Sequence, residues 1–330
     1  MSSIVQRHPI DVVVTQATNL TGEIRLLRVC AGNGTPLPAF EPGAHVMVEV
    51  APGLTRAYSL CSDPAFTGHY DIAVKLETQG RGGSRALHAV NVGARLTIGA
   101  PRNLFALAGH AMHHLLIGGG IGATPLVAMA HRLAAEGASF TFAQFSRSAA
   151  HLPFAGLLRE GPWQAQVALH FDDAQSVDLV SLSGALPSGT HVYCCGPAGF
   201  VRWARTQCAN VSDAQWHEER FTADANSEAR ARDTGAAPAE TAAAATTQLI
   251  LARTARQIAL QRGQTLLDAL REHGVEVETA CEQGICGSCV VEYSEGEPVH
   301  GDACLDAADR ENHVALCCGG CRSASLTLQL

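Results

Sequence analysis

Long apolar runs are missing from this 330-residue chain. No stretch of about 18 apolar residues occurs, so no transmembrane helix is expected. The opening segment, MSSIVQRHPIDVVV, lacks an apolar core ahead of a small-residue cleavage site, so no secretory signal is read. Positive charge is also short. The chain has 23 Lys and Arg against 31 Asp and Glu, a formal net charge of −8. Phosphate contacts need clustered Lys and Arg, which disfavours nucleic-acid binding. Without an export signal, twelve cysteines argue against a disulfide framework. A reducing, cytoplasmic setting is expected, with thiols free for metal or redox work.

What is present is ordinary material for several cores: 47% apolar and 16% charged residues. The length suits two or three domains. Charge is uneven along the chain. From Gln248 to Leu330 there are 12 Asp and Glu against 6 Lys and Arg, a net −6 for the last quarter. An acidic face can steer a basic protein partner or simply maintain solubility. The two readings stand level on charge alone.

Residues 1–108 read as strands, with VVVT, AHVMVEV, DIAVKLE and ARLTIGA punctuated by Gly and Pro. That pattern predicts an antiparallel β-barrel or sandwich. Residues 109–222 change character. HHLLIGGGIGATPLVAMAHRLAAEG reads as a buried strand, a glycine turn and a helix, and FTFAQFS, QVALHF and THVYCCG as further buried strands. An α/β domain with a mainly parallel sheet is expected there. Residues 223–246 have no apolar period and read as a linker. Residues 247–330 open with a hairpin and a short helix and end with the strand ASLTLQL.

The last segment carries ACEQGICGSC, a C-x4-C-x2-C spacing, with Cys317 a further 28 positions on. Paired zinc knuckles do not have this spacing; plant-type [2Fe–2S] clusters do. Cys281, Cys286 and Cys289 are the first three ligands, and Gly284 and Gly287 let the backbone wrap closely. The fourth ligand lies among Cys304, Cys317, Cys318 and Cys321. Cys317 is favoured because it ends an apolar strand just before a Gly-Gly turn. Cys304 lies close in sequence to the loop, and Cys318 and Cys321 read as structural thiols.

GGGIGATP, Gly118 to Pro125, joins a buried strand to a helix. Such a turn lets the backbone approach a pyrophosphate at a helix N-terminus. By itself it is weak evidence, since many strand–helix turns carry glycine. YCCGPAGF places a second glycine turn at another strand end, and two such turns make a ligand crevice. Cys195, next to Gly196-Pro197, is favoured over Cys194 to face it. In RAYSL, Arg56 and Tyr58 share one side of a strand and Ser59 takes the other. An Arg beside an aromatic ring suits a ligand with a phosphate and a flat ring. RGGS, Arg81 to Ser84, precedes a helix and offers another anion site. A structural salt bridge and a helix cap are the bland readings of these two segments.

In this order the motifs resemble the reductases of the phthalate dioxygenase reductase and vanillate demethylase reductase type, over nearly the whole chain. The resemblance implies a β-grasp ferredoxin domain at the C-terminus, and FMN rather than FAD. It implies that Arg56 binds the flavin phosphate and that Tyr58 lies along the ring, flanked by Ala57. Ser59 would reach the ring near N5. Lys75, Gly82, Gly83 and Ser84 would form a second phosphate segment. Gly119, Gly120, Gly122, Thr124, Pro125, Cys195, Gly196 and Pro197 would take NADH, and Phe221 would close against the flavin. Arg147, read from its place after a strand, suits a ribose or a 2′-phosphate there and leaves NADH against NADPH open. Ser59 and Cys195 would be the groups nearest the chemistry. Electrons would pass from NADH as hydride to FMN, then singly through the cluster to a Rieske-type oxygenase. This chain has no paired Cys-x-His ligands and no two-His-one-carboxylate set, so the oxygenase must be another polypeptide. The acidic last quarter then favours partner docking. A cytochrome or diiron hydroxylase as acceptor, and a redox-sensing role, are the alternatives. Two departures stand out. CCGGCRS replaces the usual C-x-S-R, and the Ala-rich linker is long.

Overall fold

The computed structural model describes residues 9–51, 54–80, 82–172, 186–221, 247–261, 263–277, 279, 282, 284, 286–302, 304–305 and 309–330. Arg81, Cys281 and the expected linker at 223–246 lie outside the described residues. The chain forms two compact units, Met1–Phe221 and Thr222–Leu330.

The first unit opens with an antiparallel sheet. Its strands are β1 (Ile10–Asn19), β2 (Ile24–Ala31), β3 (Ala44–Ala51), β4 (Leu54–Ser59) and β5 (Tyr70–Lys75). Helix α1 (Gly83–Ala89) and strands β6 (Arg95–Ile98) and β7 (Arg102–Asn103) follow. The order is β4-β3-β6-β1-β2-β5, with β7 on β3. A bridge between Leu60 and Ile72 joins the two ends into a barrel. Alternation drives the folding: Val12 and Val14 are fully buried while Asp11 and Thr15 face out.

An α/β lobe follows in the same unit. Its strands are β8 (His113–Gly119), β9 (Phe140–Ser146), β10 (Val167–Phe171), β11 (Thr190–Gly196) and β12 (Trp216–Arg220). All pairings are parallel, in the order β10-β9-β8-β11-β12. Every residue of β8 and β11 is buried, as central strands covered on both faces require. Helices α2 (Ala123–Ala135), α3 (Ala155–Glu160) and α4 (Ala198–Gln207) supply the crossovers.

The sequence divides this unit at residue 108, but the structure joins its halves through one apolar core. Ile24, Cys61, Ala73 and Phe105 of the barrel segment cluster with Leu126, Met129, Tyr193 and Cys195 of the α/β lobe. Gly43, at φ +91°, is held where a Cβ would meet the Phe105 carbonyl at 1.9 Å and Met129 Cε at 3.1 Å. Only glycine fits that approach. The Tyr193 hydroxyl accepts the Ala108 amide at 2.7 Å, fixing the crossing point between the halves.

The second unit has strands β13 (Thr247–Leu251), β14 (Arg256–Leu260), β15 (Val290–Glu295), β16 (Pro298–Val299), β17 (His313–Ala315), β18 (Gly320–Cys321) and β19 (Ser325–Leu328). Helix α5 (Leu266–Glu272) lies between β14 and β15. The main sheet runs β14-β13-β19-β15-β17, with only β13 and β19 parallel, and β16-β18 form a small ribbon. This is the expected β-grasp arrangement. Thr265 caps α5: its hydroxyl accepts the Asp268 amide at 3.1 Å and donates to the Asp268 carboxylate at 2.7 Å. Leu266, Leu267 and Leu270 bury the helix against Leu249, Leu326 and Leu328. Among the described residues, no helix is long and apolar enough to cross a membrane.

Met129→Ala would open a void in the core shared by the barrel and the α/β lobe. It is expected to lower the unfolding free energy by about 2–5 kcal/mol, measurable by urea denaturation.

Candidate functional site

Three strands converge where the barrel meets the α/β lobe. Ser59 is the last residue of β4, Cys195 lies near the end of β11, and Glu219 lies beside it on β12, in register. The Ser59 hydroxyl donates to Glu219 Oε2 at 3.3 Å, and the Cys195 thiol donates to the same oxygen at 3.8 Å. Burial raises the Glu219 carboxyl to about 7, although both hydrogen bonds act to lower it. Burial also pushes the Cys195 thiol well up, with the Glu219 carboxylate adding to the shift.

Cys194 and Cys195 separate as strand alternation requires. Cys195 joins the core between the barrel and the lobe, while Cys194 packs with Val201 and Cys208 beneath α4. Glu219 was missed by sequence reasoning. Its only local signal is the acidic pair Glu218-Glu219 two residues before Phe221. Phe221 itself is half-buried and packs on the edge of the same core.

The RAYSL strand pairs with β3 along its length. Arg56 pairs across from Val48, Ala57 from Met47, Tyr58 from Val46 and Ser59 from His45. The Arg56 stem lies over Gly83, where a Cβ would come within 3.1 Å of its Cγ. Gly82 has φ +96° and starts α1. Burial raises the Tyr58 phenol to about 12, so it stays neutral. Ser84 and Lys75 both engage Glu77: the Glu77 amide donates to Ser84 Oγ at 3.0 Å, and Lys75 Nζ donates to Glu77 Oε1 at 2.8 Å.

The glycine turns face each other across β8 and β11. A Cβ on Gly122 would sit 2.0 Å from the Cys195 carbonyl. Cβ atoms on Gly119 and Gly196 would meet the Phe200 ring at 2.6 and 2.9 Å. Phe200, another residue missed from sequence, thus lies against both turns. Gly120 has φ +54°, and Thr124 and Pro125 are buried at the start of α2, with Thr124 Oγ1 donating to the Ile121 carbonyl at 3.0 Å. Pro197 precedes α4. The turns lie at the point where strand order reverses about β8, the usual place for a nucleotide crevice. Arg147 follows β9 and forms an ion pair with Glu23 of the barrel, Nη2 to Oε2 2.7 Å.

In the second unit the cysteine loop winds through left-handed backbone at Glu282 (φ +53°), Gly284 (φ +71°) and Gly287 (φ +66°). Cys286, Cys289 and Cys317 are buried. The Gly284 amide donates to Cys317 Sγ at 3.2 Å. Cys289 shares a thiol hydrogen bond with Cys317, which together with burial pushes the Cys289 thiol up. Cys318 is half-buried, and its sulfur would lie 2.5 Å from a Cβ on Gly284. Cys321 is turned to Ser323, its sulfur 3.3 Å from the Ser323 carbonyl. Cys304 is half-buried near Cys286 and Cys289. The buried thiols and the amide aimed at sulfur fit a thiolate-held iron–sulfur cluster. Among the described residues, no group of three or more ligands is arranged for a single metal ion.

Comparisons with known proteins agree with this layout. The family described as "Oxidoreductase FAD-binding domain" matches residues 11–106, and "2Fe-2S iron-sulfur cluster binding domain" matches residues 249–321. The "Phenoxybenzoate dioxygenase subunit beta" of Ectopseudomonas oleovorans is 39% identical, over 92% of this chain and 91% of its own length. A solved structure of a phthalate dioxygenase reductase, described as a modular structure for electron transfer from pyridine nucleotides to [2Fe–2S], aligns with 98% of each chain at 30% identity and TM-score 0.70. An intact type IV self-sufficient cytochrome P450 monooxygenase aligns with 98% of this chain but only 41% of its own length, at 29% identity and TM-score 0.85.

Glu219→Gln removes a titration whose folded-state value is raised. Wild-type stability contributed by this group is full below the ordinary carboxyl value of 4.5 and is lost as pH rises through about 7. Relative to the Gln variant, the wild type is expected to lose on the order of 2 kcal/mol between pH 5 and pH 8. Urea unfolding of both proteins at the two pH values checks this; a pH-independent difference would refute it.

Proposed function

The chain belongs to the phthalate dioxygenase reductase family, a family of flavin- and [2Fe–2S]-containing oxidoreductases, and from that premise we propose that it is an NADH-dependent electron-transfer reductase of a Rieske-type oxygenase. The oxygenase would act on an aromatic acid or ether. One observation carries the reading: the end of the RAYSL strand and the end of the Cys195 strand meet at Glu219 within one unit. A flavin site and a nucleotide site are thereby adjacent. When bound, the flavin would supply acceptance of one hydride, carrying two electrons, and the cluster would supply single-electron transfer.

The residues divide the work by position. Arg56, Lys75, Gly82, Gly83 and Ser84 hold the flavin phosphate, FMN on our reading. Ala57 and Tyr58 line the ring, Ser59 reaches it near N5, and Phe221 covers it. Gly119, Gly120, Gly122, Thr124 and Pro125 hold the pyrophosphate of NADH from one side, and Gly196 and Pro197 from the other. Arg147 lies at the ribose, and Cys195 excludes water beside the nicotinamide. Cys281, Cys286, Cys289 and Cys317 hold the cluster, and the Gly284 amide stabilises charge on the Cys317 sulfur. Domain limits at 1–108, 109–222, 223–246 and 247–330 suit these assignments. The cytoplasm suits a chain whose cysteines serve a cluster rather than a disulfide framework.

A second reading has one observation in its favour. The likeness to part of a self-sufficient cytochrome P450 makes a haem protein the rival acceptor. Assay with a purified Rieske oxygenase and with a cytochrome separates the two.

Anaerobic titration with NADH is expected to bleach the flavin absorbance and then produce the EPR signal of a reduced [2Fe–2S] cluster. Absence of either signal would refute the proposal, and mass analysis of acid-released flavin distinguishes FMN from FAD. Cys317→Ser is expected to lower bound iron by about tenfold, while Cys321→Ser leaves it unchanged. Iron per protein and visible absorbance check both.

A further inference from the structure

We propose that Glu23, on the barrel, selects the nicotinamide nucleotide through its ion pair with Arg147, admitting a free ribose 2′-hydroxyl and rejecting a 2′-phosphate. The inference rests on the reading of the chain as a nicotinamide-nucleotide reductase. In parallel sheets of this kind, the strand beside the glycine turn ends near the ribose. An acidic residue there binds the 2′-hydroxyl of NADH, and an arginine accommodates the 2′-phosphate of NADPH. Here that neighbouring strand is β9, where Phe145 is in register with Gly119. Two positions on stands Arg147, and no acid occupies the place. Taken alone, the arginine would favour a phosphate.

The barrel supplies the missing acid. Glu23 sits in the tight turn between β1 and β2, and its backbone is fixed on both sides. Its amide donates to Thr21 Oγ1 at 3.2 Å, and its carbonyl accepts the Leu76 amide at 2.8 Å. Its carboxylate reaches across to Arg147 Nη2 at 2.7 Å. The Arg147 hydrogen bond holds this carboxyl below its ordinary range, with Lys75 and His151 contributing, so it is ionised at neutral pH. The side chains remain open to ligand, 44% exposed for Glu23 and 60% for Arg147. Exposed ion pairs add little stability, so the pair is better explained by what it presents to a ligand. A ribose hydroxyl can donate to the Glu23 carboxylate and leave the pair intact. A 2′-phosphate would have to take Arg147 away from Glu23 and then lie beside a like charge.

The test uses the full chain with its cofactors, wild type and Glu23→Gln, reduced anaerobically by NADH and by NADPH. Wild type is expected to prefer NADH. Glu23→Gln is expected to raise the ratio of kcat/KM for NADPH over NADH on the order of tenfold. Adding Arg147→Ala to that variant should abolish the gain, and NADP⁺ dissociation constants should follow the same order. A thermal melt confirms that the variant is folded, and Glu23→Ala serves as a second variant with the same expected direction. A ratio within about twofold of wild type in both variants, with NADH reduction intact, overturns the inference alone. So does a gain that survives Arg147→Ala, or a wild type that already prefers NADPH. Wild type reduced by neither nucleotide overturns the functional reading itself and the inference with it.

Discussion

Met129, on the buried side of α2, touches the barrel's edge at Gly43, where the Phe105 carbonyl leaves no room for a Cβ. That contact belongs to a core that neither the barrel nor the α/β lobe completes alone. Ile24, Cys61 and Ala73 give it one wall, and Leu126, Tyr193 and Cys195 the other. Apolar burial of this kind is non-directional but close-packed, so it fixes two bodies against each other with little play. Every polar contact between the halves depends on it. Ser59 reaches Glu219, and Glu23 reaches Arg147, because the core beneath them sets the spacing. Polar groups at these distances add specificity; the packed layer supplies the rigidity they need.

The glycines of the crevice have a related cause. Gly122 and Gly196 are needed because backbone passes backbone there: a side chain at Gly122 would strike the Cys195 carbonyl, and one at Gly196 would come within 3.2 Å of Gly119 Cα. The same close approach keeps the two turns side by side at the ends of β8 and β11. Phe200 then lies over both turns and packs with Phe145 and Trp203, ring centroids 5.4 and 5.6 Å away. The crevice thus gains one apolar wall beside its polar turns.

Much of this was readable from the residues because it is local. Alternation gave β1 its faces, continuous apolar runs gave β8 and β11, and cysteine spacing gave the cluster loop. What escaped was decided by tertiary contact. Glu219 is one of two adjacent acids in HEERF, and nothing in that string shows which one turns toward β4. Glu23 sits in an ordinary turn 124 positions from its partner. Among the spare thiols, side-chain direction in a turn has no period to read. Only the fold shows Cys317 accepting the Gly284 amide while Cys321 faces Ser323. The division at residue 108 follows a real change of pattern, yet pattern carries no information about a core built from both sides of it.

The meeting of Ser59, Cys195 and Glu219 also limits what protons can do there. The serine hydroxyl does not ionise in the working range, and the Cys195 thiol is held protonated by burial and by the carboxylate beside it. Glu219 alone, raised to about 7, exchanges a proton near neutrality. With the carboxylate charged, both neighbours donate to Oε2, and the Ser59 hydrogen points away from the barrel. With the carboxyl protonated, that oxygen accepts more weakly, and its hold on the Ser59 hydrogen loosens. One carboxyl thus couples the hydrogen bond of Ser59, at the end of β4, to the charge beside Cys195 on β11. No second base is required at this junction for that coupling to operate.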